Sequence, residues 1–264
     1  MKSTVSRNGQ THSPRSAFTL VEVLVVIAIV SLLIAILFPA MSAARRSGRR
    51  TQCQSNLRQL ATAWNVYLDD SGGLFYQGMN AYFNYGGIQG KGAAQFAVPK
   101  PLNRHLGFEA VQPSGAEVFR CPADTGSRTA KPTAFTYYGT SYMANPFVIG
   151  QDQYPELPLA DPCYSLVMKV NKRLKNLTRP KASTDSARLI LFGDLGWYAA
   201  WWRYTSERIE WHGSPYSHNL AFLDGHADFV RIRKNLFVSD EFALLPFADL
   251  ADDAVACQQE IPTP

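Results

Sequence analysis

The most apolar stretch of the chain covers residues 20–40 and is interrupted by only two clearly polar residues, Glu22 and Ser31. An α-helix of this length spans about 30 Å, which is the thickness of the hydrocarbon core of a bilayer. The rest of the chain has no second stretch of this kind. The pattern therefore predicts one membrane-length helix joined to a domain that lies outside the membrane.

A second pattern extends this helix. Apolar residues recur at steps of three and four residues and form one stripe of Leu57, Leu60, Ala61, Trp64 and Leu68. Two aspartates, a serine and two glycines follow at 69–73 and predict a helix end. We expect one helix over residues 18–70, with 18–41 in the membrane and 42–70 packed on a globular head.

The head, residues 71–264, has short apolar runs separated by segments rich in glycine, proline and tyrosine. Strands are predicted at residues 135–145 and 188–194. Two alternating runs within residues 219–231 flank Asp224 and Gly225, which predicts a hairpin with a two-residue turn. The predicted fold class is α+β: a long N-terminal helix packed on an antiparallel sheet head with long loops.

The net charge of +5 is unevenly distributed. Residues 1–17 contain Lys2, Arg7 and Arg15 and no acid, and the rest of the chain has 23 basic and 21 acidic residues. A basic cluster follows the apolar stretch at Arg45, Arg46, Arg49 and Arg50. Beside a membrane span such a cluster meets lipid headgroups. No aromatic residues are interleaved with it, so nucleic acid is not an expected partner.

The four cysteines, Cys53, Cys121, Cys163 and Cys257, include no pair with C-x-x-C spacing. A structural zinc site is therefore not expected. In an exported domain four cysteines allow three complete disulfide pairings, and a single bond with two free thiols is a further alternative. The sequence does not choose among these.

Glu22 needs an explanation, because a charge inside a membrane helix costs a few kcal/mol and usually has a partner. Residues 17–26 read Ala-Phe-Thr-Leu-Val-Glu-Val-Leu-Val-Val. This segment resembles the processing motif of type IV prepilins and type II secretion pseudopilins. The resemblance implies that residues 1–17 are a leader, cut between Ala17 and Phe18, and that Phe18 is then N-methylated.

Two further features follow from the same resemblance. Glu22 would be the fifth residue of the mature chain, and its carboxylate would pair with the α-amino group of Phe18 on a neighbouring subunit. Pro39 stands where this family often has a helix-kinking proline. Ala17 departs from the family, which usually has glycine there, and this departure implies less efficient processing.

The head resembles a group of bacterial proteins that combine a prepilin start with a C-terminal signature of His, nine residues and Asp-Gly. The matches are a Cys-x-Ser-Asn-Leu-x-Gln-Leu start at 53–60, a Cys-Pro-x-Asp turn at 121–124, and a Ser-Tyr-x-x-Asn segment at 141–145. The final signature is matched by His218, Asp224 and Gly225. Five residues separate His218 from Asp224, and eleven separate His212 from it, so the signature is a shortened variant.

A metal site is one interpretation of six residues whose types suit zinc or manganese: Asp194, His212, His218, Asp224, His226 and Asp228. A local role of Asp224 in the turn opposes it, and we predict no metal ligand. Calcium is a second alternative, with oxygens at Asp240, Glu241, Asp249, Asp252 and Asp253 but without EF-hand spacing. No phosphate loop or nucleophile elbow occurs, so neither an enzyme nor a cofactor is predicted.

The resemblance implies a structural subunit of a type II secretion or type IV pilus-like filament. Its partners would be the prepilin peptidase, other pilin-like subunits, an inner-membrane assembly platform and membrane lipid. The chain would cross the inner membrane once, with its head in the periplasm, although the arginines after the span would by themselves favour a cytoplasmic head. The alternative is a membrane-anchored periplasmic ligand- or metal-binding module that uses the motif only for targeting. Trp197, Trp201 and Trp202 would form its binding surface, but packing under the loops is the favoured interpretation.

Overall fold

The computed structural model describes residues 19–78, 80–92, 98–150 and 157–260. The chain divides into two compact units, with the boundary between Arg45 and Arg46. The longest element, helix α1 (Leu20–Asp70), contributes to both units. The boundaries predicted for the leader, the helix and the head are not tested by this division.

The described part of the first unit is the apolar beginning of α1. All side chains from Leu20 to Phe38 are exposed, and the most apolar 18-residue window has a mean hydropathy of 3.2. In length and composition α1 is able to cross a membrane. Pro39 lies within the helix.

In the second unit α1 buries the predicted apolar stripe. Leu57, Leu60, Ala61, Trp64 and Leu68 are all fully buried. The helix ends at Asp70, and the two glycines that follow both have positive φ angles. Both the stripe and the helix end are confirmed.

The sheet has four antiparallel strands in chain order: β1 (Tyr142–Ala144), β2 (Ile190–Asp194), β3 (Ser217–Phe222) and β4 (Ala227–Arg231). It lies against α1: the Trp64 ring meets the Phe192 ring of β2 edge to face, with centroids 6.4 Å apart. Arg58 of α1 donates to the backbone oxygen of Ala227 in β4 (3.2 Å). The α+β fold with a long helix on an antiparallel sheet is confirmed.

In the described part of the chain, five further helices surround this core. They are α2 (Ala81–Asn84), α3 (Ala134–Tyr138), α4 (Tyr164–Leu174), α5 (Gly196–Trp201) and α6 (Ala251–Gln259), with short 3-10 turns at Asn103–Leu106, Glu117–Phe119, Arg179–Lys181 and Ala248–Leu250. A disulfide joins Cys163, just before α4, to Cys257 in α6. None of these five helices was predicted, although Leu166, Val167, Val170 and Leu174 have helical spacing and are buried.

The strand predicted at residues 135–145 is wrong in its first half. There the chain forms α3, and only Tyr142–Ala144 is a strand. The backbone amides of Ala134 and Phe135 donate to the Asp124 carboxylate, and Thr133 accepts from the Thr136 amide. These bonds cap the first turn of a helix and outweigh the strand preference of aromatic residues.

The predicted hairpin is present, with a three-residue loop instead of a two-residue turn. The amide of Gly225 donates to the oxygen of Phe222, and the amide of Phe222 donates to the oxygen of His226. Gly225 has a φ of 100°, which is unfavourable for residues with a Cβ. This is the type I turn with a glycine bulge that is common in three-residue hairpin loops.

Lys100 is a charged residue in the interior of the head, with only 2% of its surface exposed. Its Nζ lies 3.2 Å from the oxygen of Gly86, 3.4 Å from that of Phe83 and 3.5 Å from that of Tyr138. Burial lowers the pKa of this lysine to about 7. The folded chain therefore holds this proton less tightly than the unfolded chain does.

We expect the free energy of unfolding to rise with pH from about 7 to 9.5, because in this window the unfolded chain binds more protons at Lys100 than the folded chain. The slope contributed by one such group is at most about 1.4 kcal/mol per pH unit. Lys100→Met should remove this rise, whereas Lys172→Met, at an exposed position of α4, should keep it. Urea unfolding of the full chain in detergent, followed by tryptophan fluorescence, measures the slope. An unchanged slope in Lys100→Met would contradict the assignment.

Candidate functional site

Glu22 lies in the first turn of α1 and forms a capping box with Thr19. Its Oε2 accepts from the Thr19 amide (2.8 Å) and from the Thr19 hydroxyl (2.7 Å), and its own amide donates to that hydroxyl (3.2 Å). This reciprocal pair satisfies amides that a helix start leaves without partners. Glu22 thus has a local role at the helix start, and the assembly role expected of it stays a prediction. Ala17 and Phe18, the expected cleavage site, lie outside the described residues.

In the head, the Cys-x-Ser-Asn-Leu start and the Cys-Pro-x-Asp turn are joined covalently. Cys53 of α1 forms a disulfide with Cys121. One turn later, the Asn56 amide donates to the oxygen of Arg120 (2.9 Å) and to the Tyr142 hydroxyl (3.3 Å). Cysteine and asparagine three residues apart lie on one face of a helix, so both reach the same loop.

The Cys-Pro-x-Asp turn and the Ser-Tyr-x-x-Asn segment are also in contact. Asp124 accepts from the Ser141 hydroxyl (2.6 Å) and from the amides of Gly126, Ala134 and Phe135 (2.8–2.9 Å). Asn145 donates to the oxygens of Ile190 and Leu244 (2.9 and 2.8 Å). Asp124 therefore holds backbone groups at the start of α3, and Asn145 holds one backbone oxygen of β2 and one of the segment after β4.

A histidine and a carboxylate lie beside the Cys53–Cys121 disulfide. His212 Nε2 is 3.5 Å from Cys121 Sγ and 3.4 Å from Asp194 Oδ2. Asp194, at the end of β2, also accepts from the amide and the side chain of Asn219 in β3 (3.0 and 3.3 Å). Both the His212 and Asp194 side chains are only 2% exposed.

Burial determines the protonation of these groups. It raises the pKa of Asp194 to about 7, against the effect of the Asn219 hydrogen bonds. Burial, assisted by the nearby Arg50 guanidinium, lowers the pKa of His212 to about 4. His212 is therefore neutral at pH 7, and its contact with Asp194 is not a strong ion pair.

The signature residues do not converge on one point. His218 is buried in β3 opposite Val230, and its ring lies so close to Gly196 that a Cβ there would come within 2.7 Å of it. Burial, and then the nearby His212, lower the pKa of His218 to about 3. Asp224 and Gly225 lie in the loop at the other end of β3, roughly 13 Å further along the strand.

Near that loop, His226 Nδ1 is 2.6 Å from Asp224 Oδ1, and the His226 ring stacks on Phe222. The Asp228 carboxylate accepts a hydrogen bond from the backbone amide of Phe229. The six candidate metal ligands therefore form two separate close pairs, Asp194 with His212 and Asp224 with His226, and do not converge on one site.

Two of the five acidic residues that could bind calcium form ion pairs instead. Asp249 makes two contacts with Arg173 (2.7 and 3.0 Å), and Asp253 makes one with Lys169 (2.6 Å). Among residues 19–78, 80–92, 98–150 and 157–260, the one group of three potential metal-ligand atoms is that of Cys53, Cys121 and His212.

The tryptophans serve mainly as core. Trp64, Trp197 and Trp201 are at most 2% exposed, and the Trp197 indole donates to the oxygen of Met143 (3.0 Å). Trp202 is partly exposed and borders an open cavity of about 410 Å³ whose lining also includes Phe83, Tyr137 and Leu195. Packing therefore accounts for Trp64, Trp197 and Trp201.

Comparison with protein families finds the prokaryotic N-terminal methylation motif at residues 12–38. The chain carries a prepilin-type methylation motif. No curated protein and no solved structure matches the chain. The prepilin-type motif and the apolar α1 are consistent with the type IV pilin and pseudopilin family, whose members are typically non-enzymatic.

Two features of this prepilin-type chain are not predicted by its sequence. They are the pairing of Cys53 with Cys121 and the contact of His212 with Cys121. Cys121 and His212 are 91 residues apart in the chain, so no spacing pattern could have joined them. The signal in the sequence is the order of its motifs, which matches the group of bacterial proteins that the head resembles. Proteins with the same motifs in the same order are expected to share the contacts between those motifs.

We expect Asp124→Ala to lower the free energy of unfolding by about 3 kcal/mol, because four donors lose a charged acceptor. Asp185→Ala is the matched control. Asp185 is exposed and accepts from the amide of Ala187, so the loss should be about 0.5–1 kcal/mol. Urea unfolding of the full chain in detergent compares the two, and equal losses would show that Asp124 does not organise this turn.

Proposed function

We propose that this protein is a pilin-like or pseudopilin structural subunit that the prepilin peptidase processes and that assembles through α1 into a filament. The observation that carries the proposal is the methylation motif at residues 12–38, which overlaps the start of a helix long and apolar enough to cross a membrane. The glutamate of the motif lies in the first turn of that helix. A targeting signal alone would need neither the acid nor its register with the helix start.

Before assembly, the first part of α1 would anchor the chain in the inner membrane, with the leader in the cytoplasm and the head in the periplasm. Two disulfides join the four cysteines, one of them in α1 and three in the head, which suits an oxidising compartment. The arginines that follow the apolar stretch are exposed or partly exposed, as lipid-headgroup contacts require. The disulfides support the periplasmic placement of the head, and the exposed arginines support its attachment beside the membrane surface.

In the filament, apolar helix surfaces would pack on one another and remove water from Glu22. A carboxylate in such surroundings needs an opposite charge, and the α-amino group of Phe18 on a neighbouring subunit would supply it. The capping box does not compete with this role, because Oε2 makes both bonds to Thr19 and Oε1 remains available. The ion pair would then fix the register between subunits.

With the prepilin peptidase present, we expect the mature chain to start at N-methylated Phe18. Intact mass and N-terminal sequencing of membrane-extracted protein, with and without the peptidase, measure this directly. Ala17→Gly should be processed faster, because glycine is the usual residue before the cut in this family. An uncut Met1, or a start after Ala43, would contradict the proposal and favour a secreted or simply anchored binding module.

Glu22→Gln should abolish filaments, or reduce them at least tenfold, while leaving processing unchanged. Glutamine retains an acceptor for the capping box but removes the charge that the neighbouring amine would meet. Thr19→Ala is the matched control, since it weakens the cap, retains the carboxylate and should keep filaments. Sheared filament fractions, quantified against total mature subunit, provide the measurement. Equal loss in both variants would assign Glu22 to helix capping instead of assembly.

A further inference from the structure

The group formed by Cys53, Cys121 and His212 has the composition and spacing of a metal site. The two sulfurs and His212 Nε2 all lie within 4.8 Å of one another in the interior of the head. In the oxidised chain the sulfurs bind each other. In the reduced chain the same atoms become two thiolates and one neutral imidazole, which are the ligands that Zn²⁺ prefers.

The distances fit a zinc tetrahedron. With Zn–S about 2.3 Å and Zn–N about 2.0 Å, sulfur and nitrogen ligands lie about 3.5 Å apart, and nitrogen and oxygen ligands about 3.3 Å. The observed Cys121 Sγ to His212 Nε2 distance is 3.5 Å, and His212 Nε2 to Asp194 Oδ2 is 3.4 Å. Two of the six edges of the tetrahedron are therefore already in place. The two sulfurs must separate, and Asp194, which lies outside the group of atoms that are all within 4.8 Å of one another, must move toward them.

Asp194 is suited to the fourth position. It is buried, and within the described part of the chain its Oδ1 has no hydrogen-bond partner. A buried carboxylate oxygen without a partner is costly, and a cation bound to Oδ1 would remove that cost, whereas Oδ2 already accepts two bonds from Asn219.

We infer that the reduced head binds one Zn²⁺ through Cys53, Cys121 and His212, with Asp194 completing the coordination, and that this ion and the Cys53–Cys121 disulfide are alternative occupants of one site. A dithiol reductant transfers two electrons and two protons to the disulfide and is itself oxidised to a disulfide. Zinc then displaces the two thiol protons and binds the lone pair of His212 Nε2. In both states α1 stays joined to the loops that carry Cys121 and His212.

The second disulfide is an internal control. Reduction of Cys163–Cys257 also yields two thiols, but no third ligand atom from the described histidines or carboxylates joins them in a group. Full reduction should therefore create one tight zinc site per chain, not two. Zinc should also protect Cys53 and Cys121 from alkylation and leave Cys163 and Cys257 reactive.

The first test uses the unmodified full chain in detergent, reduced with a phosphine and desalted without oxygen. Thiol alkylation with and without added Zn²⁺, resolved by peptide mass spectrometry, should show at least tenfold slower modification of Cys53 and Cys121 alone. Equal protection of all four cysteines, or none at any of them, would overturn the proposal. No variant is involved, so a folding defect of a variant cannot imitate either result.

The second test measures Zn²⁺ affinity by competition with a chromogenic chelator. Cys163→Ser/Cys257→Ser should keep the site, and Cys53→Ser/Cys121→Ser should lose it. His212→Gln should weaken binding about 100-fold or more, and Asp194→Asn about 10- to 100-fold. His218→Gln, at a nearby buried histidine outside the group, should change the affinity less than threefold. Retained binding in Cys53→Ser/Cys121→Ser would overturn the assignment.

Discussion

The apolar face of α1 between Cys53 and Leu68 lies against the sheet, and a sheet of four short strands needs such packing on one face to be stable. The Trp64 ring is fully buried, and removing such a side chain typically costs about 3–5 kcal/mol. Apolar burial has no direction, however, and would tolerate sliding along the helix axis. Directional bonds prevent this: Asn56 reaches the oxygen of Arg120, and Asn65 reaches that of Leu223. Apolar area supplies the energy of docking, and these two amides set its register together with the Arg58 bond to Ala227 and the Cys53–Cys121 disulfide.

Features that depend on neighbours in the chain could be predicted from the sequence. The stripe that includes Trp64 and the helix end at Asp70 followed from local periodicity and from turn residues. The hairpin around Asp224 and Gly225 followed from alternation, although the length of its loop did not. A three-residue loop and a two-residue turn accept the same Asp-Gly pair, and the register of the paired strands decides between them.

Features that depend on distant partners could not be predicted in this way. Helix α3 forms because Asp124, ten residues before its start, captures its first amides. The contact between Cys121 and His212 exists only because α1, a loop and the region before β3 meet in space. The methylation motif is a third case. It is recognisable in the sequence because a processing enzyme binds such a motif as a linear segment, and no tertiary structure is required.

The Cys53–Cys121 bond also determines how the head would respond to mechanical load. Tension that enters along α1 reaches residue 53 and crosses directly to residue 121, which is 68 residues further along the chain. The intervening segment carries none of this load, although it holds the rest of the apolar face of α1 and the loops around α2. Fully extended, that segment would lengthen the molecule by about 230 Å. The bond makes this length inaccessible to stretching. Force can therefore unravel the strands, which all lie after Cys121, but it cannot unravel α1 beyond Cys53 until a covalent bond breaks.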